Sequence, residues 1–199
     1  MAQGAAIAPY RMLVIGGSAG SLEAILKLLP GLQEVKSLAI VLVMHRRGGE
    51  SLLTTLLSDK TSWPVKEAEE KEVILPGTVY IAPADYHLLI EKDQTFSLDY
   101  SEKVHYSRPA IDITFESAAE VFGSGVIAVL LSGANSDGTD GLKKIKAGGG
   151  YVVVQDPASA PVPYMPQQAI TQVKADLVAS AGDMPGLIKE LVEKTDPLR

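Results

Sequence analysis

Residues 12–28, MLVIGGSAGSLEAILKL, constrain the chain more than any other stretch. Met12 to Ile15 form a short apolar run, and a glycine-rich turn follows. Apolar residues then recur at Leu22, Ile25, Leu26 and Leu29, the spacing of one helix face. The pattern reads as strand, tight turn, helix. Inside the turn Gly16, Ser18 and Gly20 spell G-x-S-x-G, the nucleophile-elbow pattern in the strand-to-helix context it requires. Such a turn carries the serine hydroxyl above the end of the strand, and amides at the start of the helix point toward negative charge developing beside it. The same residues leave a second reading open, in which Ser18 only caps the helix. A phosphate-binding turn fits less well. A dinucleotide fingerprint needs glycine where Ser18 stands, a P-loop needs a terminal Gly-Lys-Ser/Thr, and His45 ends the next strand where a ribose-binding acid would be expected.

The rest of the chain continues the alternation. Residues 38–44, LAIVLVM, suit a central strand covered on both faces and run directly into His45 and the basic, glycine-containing stretch Arg46, Arg47, Gly48, Gly49. Residues 51–57 read as helix, 63–72 as a charged irregular segment and 78–82 as strand. Residues 87–91 and 95–100 alternate around a turn and predict a hairpin appended to the sheet. Pro109, near N1, opens a helix with Ile111, Phe115, Ala118 and Phe122 on one stripe. Strand 126–131 leads into the polar loop 132–141, SGANSDGTDG. Helix 142–147, strand 151–154, a long proline-rich loop 156–166, a helix near 164–171, strand 175–179 and helix 185–194 complete the pattern. Strands alternating with helices define an α/β fold: a three-layer, doubly wound, mostly parallel sheet with the appended hairpin. Its site belongs at the carboxyl edge of the strands.

Composition narrows the function. A chain of 199 residues that is 46% hydrophobic supports one core, with residues 1–10 read as a leader and 11–199 as a single domain. A net charge of −6 argues against nucleic acid and against anionic membrane surfaces, and no apolar run reaches the roughly 18 residues of a spanning helix. With no cysteine, neither a disulfide framework nor a thiolate site is available. These features fit a cytoplasmic protein.

Three residues at three strand ends have the chemistry for acyl transfer: Ser18, His45 and Asp137. A serine hydroxyl is a weak nucleophile, an imidazole can take its proton and return it to the leaving group, and a carboxylate can hold that imidazole in one tautomer. His87 and His105 fall near the hairpin, where packing or surface roles are expected. Asp137 alone could be a cap or turn residue. A calcium loop is ruled out, since Asp140 stands where glycine is required and no closing glutamate follows. The order Ser, His, Asp also differs from the Ser, Asp, His of α/β-hydrolases.

The segments IGGSAGSLEAI, VLVMHRR, LPGTVYIAPADYHL, SRPAIDITFESAA, VLLSGANSDGTDGL and YMPQQAI together resemble the catalytic domain of the CheB-type chemotaxis protein-glutamate methylesterases, over residues 11–195. The resemblance implies hydrolysis of glutamate γ-methyl esters on cytoplasmic chemoreceptor helices, releasing methanol, and in many members deamidation of glutamine. It implies Ser18 as nucleophile, His45 as base and Asp137 as orienting acid, with no cofactor and no metal. The backbone amides of Ala19 and Ala134 are the expected oxyanion donors. Departures from the family pattern are Ala19 and Ser21 in the elbow, Arg46 and Arg47 after the histidine, and Ser132 to Asn135 in the acid loop. They motivate an alternative, a catalytically weak module that docks a receptor or partner. A family receiver domain has no counterpart before Met12, so either a single-domain form controlled by other means or an excised fragment is expected, with activity indifferent to phosphodonors.

Overall fold

The computed structural model describes residues 10–46 and 52–195. The elements run β1 (Met12–Gly17), α1 (Ser21–Gly31), β2 (Ala39–Met44), α2 (Leu53–Ser58), β3 (Val65–Glu67), β4 (Val79–Ile81), β5 (His87–Ile90) and β6 (Phe96–Asp99). They continue with α3 (Ile111–Phe122), β7 (Val126–Leu130), α4 (Thr139–Ala147), β8 (Tyr151–Gln155), α5 (Tyr164–Gln172), β9 (Leu177–Ala179) and α6 (Met184–Thr195). Among the described residues seven strands form one sheet in the order β3-β4-β2-β1-β7-β8-β9, and every pairing is parallel. The chain winds outward from β1 on one side, then returns to lay β7 on the other. The strand order therefore reverses beside β1, and a crevice opens at the carboxyl ends of β1 and β7.

Period-two alternation in β1 divides the core into two layers. Leu13 and Ile15 face one side with Ile25, Leu28 and Leu29 of α1 and Met184, Ile188 and Val192 of α6. Met12 and Val14 face the other side with Ile111, Phe115 and Ala118 of α3, Leu142 and Ile145 of α4, and Met165 of α5. All six residues of β1 and of β2 are buried, as continuous apolar runs in a doubly covered sheet require. Close approach of α3 and α4 depends on Gly141: a Cβ there would meet Phe115 Cβ at 2.6 Å.

Some boundaries differ from the sequence reading. Helix α1 runs through Pro30 to Gly31, with Pro30 inside its last turn. Helix α3 begins at Ile111 with Ala110 at the N-cap, so Pro109 lies just outside it rather than at N1. The segment read as irregular contains β3, a three-residue edge strand whose Lys66 and Glu67 hide it from an apolar pattern. The appended hairpin β5–β6 is present as expected and forms its own two-stranded sheet, with Leu88, Ile90 and Phe96 packed into the core layer of α3. Within the proline-rich loop, residues Pro157–Ser159 make a 3-10 turn and α5 starts at Tyr164. The basic stretch after Arg46 and the expected leader fall on residues outside the described set, apart from Tyr10.

Candidate active site

The elbow follows β1 as the pattern demands. Gly20 sits at the N-cap of α1 with φ of 79°, a left-handed conformation that favours glycine. No side chain caps the helix, and it is Ser21 whose hydroxyl donates to the Ser18 carbonyl at 2.7 Å. The capping reading of Ser18 is thereby excluded, and its side chain is free to face the crevice.

His45, at the end of β2, meets it there. His45 Nδ1 lies 3.2 Å from Ser18 Oγ, and His45 Nε2 lies 2.6 Å from Asp137 Oδ2. A carboxylate can only accept, so Nε2 carries the proton and Nδ1 presents its lone pair to the hydroxyl. Residues 18, 45 and 137, widely separated in the chain, thus form one continuous hydrogen-bonded series.

Asp137 is fully buried and caps a helix other than the one its own loop precedes. Its Oδ2 accepts from the Ile111 amide at 2.8 Å and its Oδ1 from the Asp112 amide at 2.9 Å, the first free donors of α3. Burial pushes the carboxyl up, but the hydrogen bonds from His45 and from the Asp112 and Ile111 amides outweigh it and hold the group below the ordinary carboxylate range.

Asp112, a residue the sequence did not mark, stands immediately behind. It accepts from the Gly141 amide at 2.7 Å and pairs with His105 Nε2 at 3.2 Å. Burial, opposed by the Gly141 amide and His105 but reinforced by Asp137, pushes it up to about 6. Two neighbouring carboxyls are thus driven apart, one kept ionised and the other poised near neutrality. The donor atoms of His105, Asp112 and Asp137 lie within 4.8 Å of one another, close enough for a metal. However, Asp137 already receives three N–H donors and Asp112 accepts the Gly141 amide, so protein groups occupy positions a cation would need.

Ser132, two residues past β7, stands out in the sequence only as a departure from the family pattern and not as a site residue. Its carbonyl accepts from the Ser18 amide at 2.9 Å, and its hydroxyl donates to the Ala19 carbonyl at 2.7 Å while accepting from the Val162 amide at 2.9 Å. Its own amide donates to buried Gln155 at 2.9 Å. One residue therefore fixes the peptide group before Ser18 through its backbone and the Ala19–Gly20 peptide through its side chain, while the Ser18 carbonyl between them is held by Ser21. The only signal for this role was position, just past a strand end on the same edge. Ala19 and Ala134 are exposed on the rim, and neither amide donates to an acceptor among the described residues. His87 is completely buried, bonded to the Glu102 carbonyl and the Ala110 amide, which is the packing role expected of it.

Beside His45 a cleft of about 390 Å³ opens, lined by Arg46, Asp85, Lys103 and Arg108 among others. No helix among the described residues is long and apolar enough to cross a membrane.

A doubly wound parallel sheet with a serine, a histidine and an aspartate in hydrogen-bonded series at its switch point defines a protein of serine-hydrolase type. Comparison with known proteins narrows this further. The family model described as CheB methylesterase matches residues 13–188, and the chain belongs to that family. A Leptospira interrogans protein, provisionally assigned as protein-glutamate methylesterase/protein-glutamine glutaminase, is 49% identical over 174 residues, covering 86% of this chain and 89% of that one. A Thermotoga maritima protein with the same two activities in its name is 39% identical over 186 residues, 92% of this chain and 54% of that protein. This chain therefore spans about half the length of that relative. The crystal structure of the Thermotoga maritima CheB methylesterase catalytic domain superposes with a TM-score of 0.87 at 38% identity, covering 92% of this chain and 99% of the domain.

Proposed function

We propose that this protein hydrolyses γ-methyl esters of glutamyl residues on the cytoplasmic helices of chemoreceptors, and acts in the cytoplasm. The observation that carries the reading is His45 bridging Ser18 at 3.2 Å and Asp137 at 2.6 Å. Ser18 Oγ attacks the ester carbonyl while His45 Nδ1 takes its proton, and Asp137 stabilises the imidazolium. The tetrahedral oxyanion is met by the Ala19 and Ala134 amides. Collapse breaks the ester C–O bond, and the leaving methoxide takes the proton from His45 and departs as methanol. Water then attacks the acyl-enzyme with His45 again as base, releasing glutamate and restoring the serine. The same sequence with ammonia as leaving group would deamidate a glutamine, as the names of the relatives suggest.

The test is methanol release from a methylated receptor fragment, with Ser18→Ala as control, together with labelling of Ser18 by a fluorophosphonate. Release and labelling that both vanish in Ser18→Ala support the proposal. A folded wild-type protein that does neither overturns it.

A further inference from the structure

The cleft beside His45 carries a charge that the chemical step does not need. The reacting ester is uncharged and the oxyanion is assigned to backbone amides, yet the described lining holds three cations, Arg46, Lys103 and Arg108, against one acid, Asp85. This is no background property, since the whole chain has a net charge of −6. Arg46 is offset by its ion pair with Glu67, and its Nη2 also donates to the Ala82 carbonyl at 3.2 Å. Arg108 is held differently. Its Nη1 donates to the carbonyls of Tyr100 at 3.1 Å and Ser101 at 2.6 Å, and its guanidinium carbon lies 3.7 Å from the centre of the Tyr100 ring. All three partners are neutral, so the guanidinium is fixed in place with no direct ion pair among the described residues, and only the field of the nearby Asp99 carboxylate partly offsets its charge. Lys103 is exposed and makes no ion pair among the described residues. Tyr106, in the same wall, is 97% exposed. A preorganised cation and a free one, sharing a wall with the base of the relay, form a site for an anion brought in with the substrate.

We infer that this cleft receives a second carboxylate, from an aspartate or glutamate side chain on the same polypeptide that presents the ester to Ser18, with Lys103 and Arg108 as its specificity-determining residues. The inference rests on the proposed esterase reading. A volume of about 390 Å³ accommodates side chains rather than a whole helix, so the acid must lie near the ester. On a helix, positions three or four residues away share its face.

The test separates the inference from turnover by using the Ser18→Ala protein. Fluorescent helical peptides carrying one methylated glutamate, with either glutamate or glutamine three or four residues to each side, are titrated at low salt and read by anisotropy. The acidic peptides bind about three- to tenfold more tightly than the glutamine peptides, the range expected of rim charge pairs. That advantage disappears with Lys103→Glu, which breaks no contact in the fold, and shrinks with Arg108→Gln. A peptide with lysine at the second position gains affinity for the Lys103→Glu protein. Equal affinities of acidic and neutral peptides, or an advantage that survives both substitutions, would overturn the inference. Whether the wild-type protein releases methanol is read separately, so failure of the esterase reading remains distinguishable.

Discussion

The Asp137 carboxylate accepts the Ile111 amide at 2.8 Å and the Asp112 amide at 2.9 Å, so the residue that holds His45 also closes the N-terminus of α3. Orientation of the His45 ring and docking of a core helix therefore depend on the same carboxylate. A helix start brings fixed donors and a favourable dipole to a buried carboxylate, which explains how Asp137 stays ionised where burial alone would protonate it.

Asp137→Ala and Asp137→Asn should separate these two roles. Alanine leaves two α3 amides unpaired in a buried place and should cost about 1–3 kcal/mol of stability in urea unfolding. Asparagine keeps one acceptor oxygen and should cost less. Both should lower kcat by about 10⁴: alanine leaves Nε2 with no acceptor, and asparagine turns an amide N–H toward it, so that His45 is no longer held in the tautomer that presents a lone pair to Ser18. An Asn variant with near wild-type kcat would show that the tautomer is not what Asp137 supplies.

Ser132 should act on rate more than on binding. Ser132→Ala removes the hydroxyl that ties the Ala19 carbonyl to the Val162 amide, loosening the Ala19–Gly20 peptide and, through the shared Ala19 Cα, the alignment of the Ala19 amide. Expected outcomes are a kcat about 10–100-fold lower with KM little changed, and fluorophosphonate labelling slowed in proportion. Ser132→Thr keeps the hydroxyl and should restore most of the rate. If the alanine and threonine variants behave alike, the hydroxyl has only a packing role.

Much of this was legible in the sequence for a definite reason. Fully buried parallel strands are continuous apolar runs, and each ended on a residue with distinctive chemistry: Ser18 after β1, His45 after β2, the Asp137 loop after β7. Topology alone then gathers them at one edge. What stayed hidden depends on contacts between elements distant in the chain. Asp112 looks like an ordinary first-turn acid of α3, and only the packing of α3 against Gly141 buries it behind Asp137. Ser132 looks like the first polar residue of a loop, and nothing local reveals that its hydroxyl reaches Ala19, 113 positions away. Strand β3 escaped notice because two half-covered residues and the exposed Glu67 leave no apolar period.

The same buried pair predicts how stability depends on pH. Burial raises Asp112 from the ordinary 3.8 to about 6, so the folded protein binds this proton more tightly than the unfolded chain does. Its contribution is fully present below pH 4 and is lost as pH climbs to about 6, amounting to roughly 3 kcal/mol at the upper limit. Asp137 has the opposite sign: its lowered value stabilises the fold above the ordinary carboxylate range and is lost as pH falls through the folded value. Asp112→Asn cannot ionise but can still accept from the Gly141 amide, so it should isolate the first effect. Measured by urea unfolding at half-unit steps from pH 4 to 8, the stability of the variant relative to wild type should rise between pH 4 and 6 and stay level above about 6.5. A difference that does not change with pH would mean that Asp112 titrates as an ordinary carboxyl and that Asp137 has a charged neighbour throughout this range.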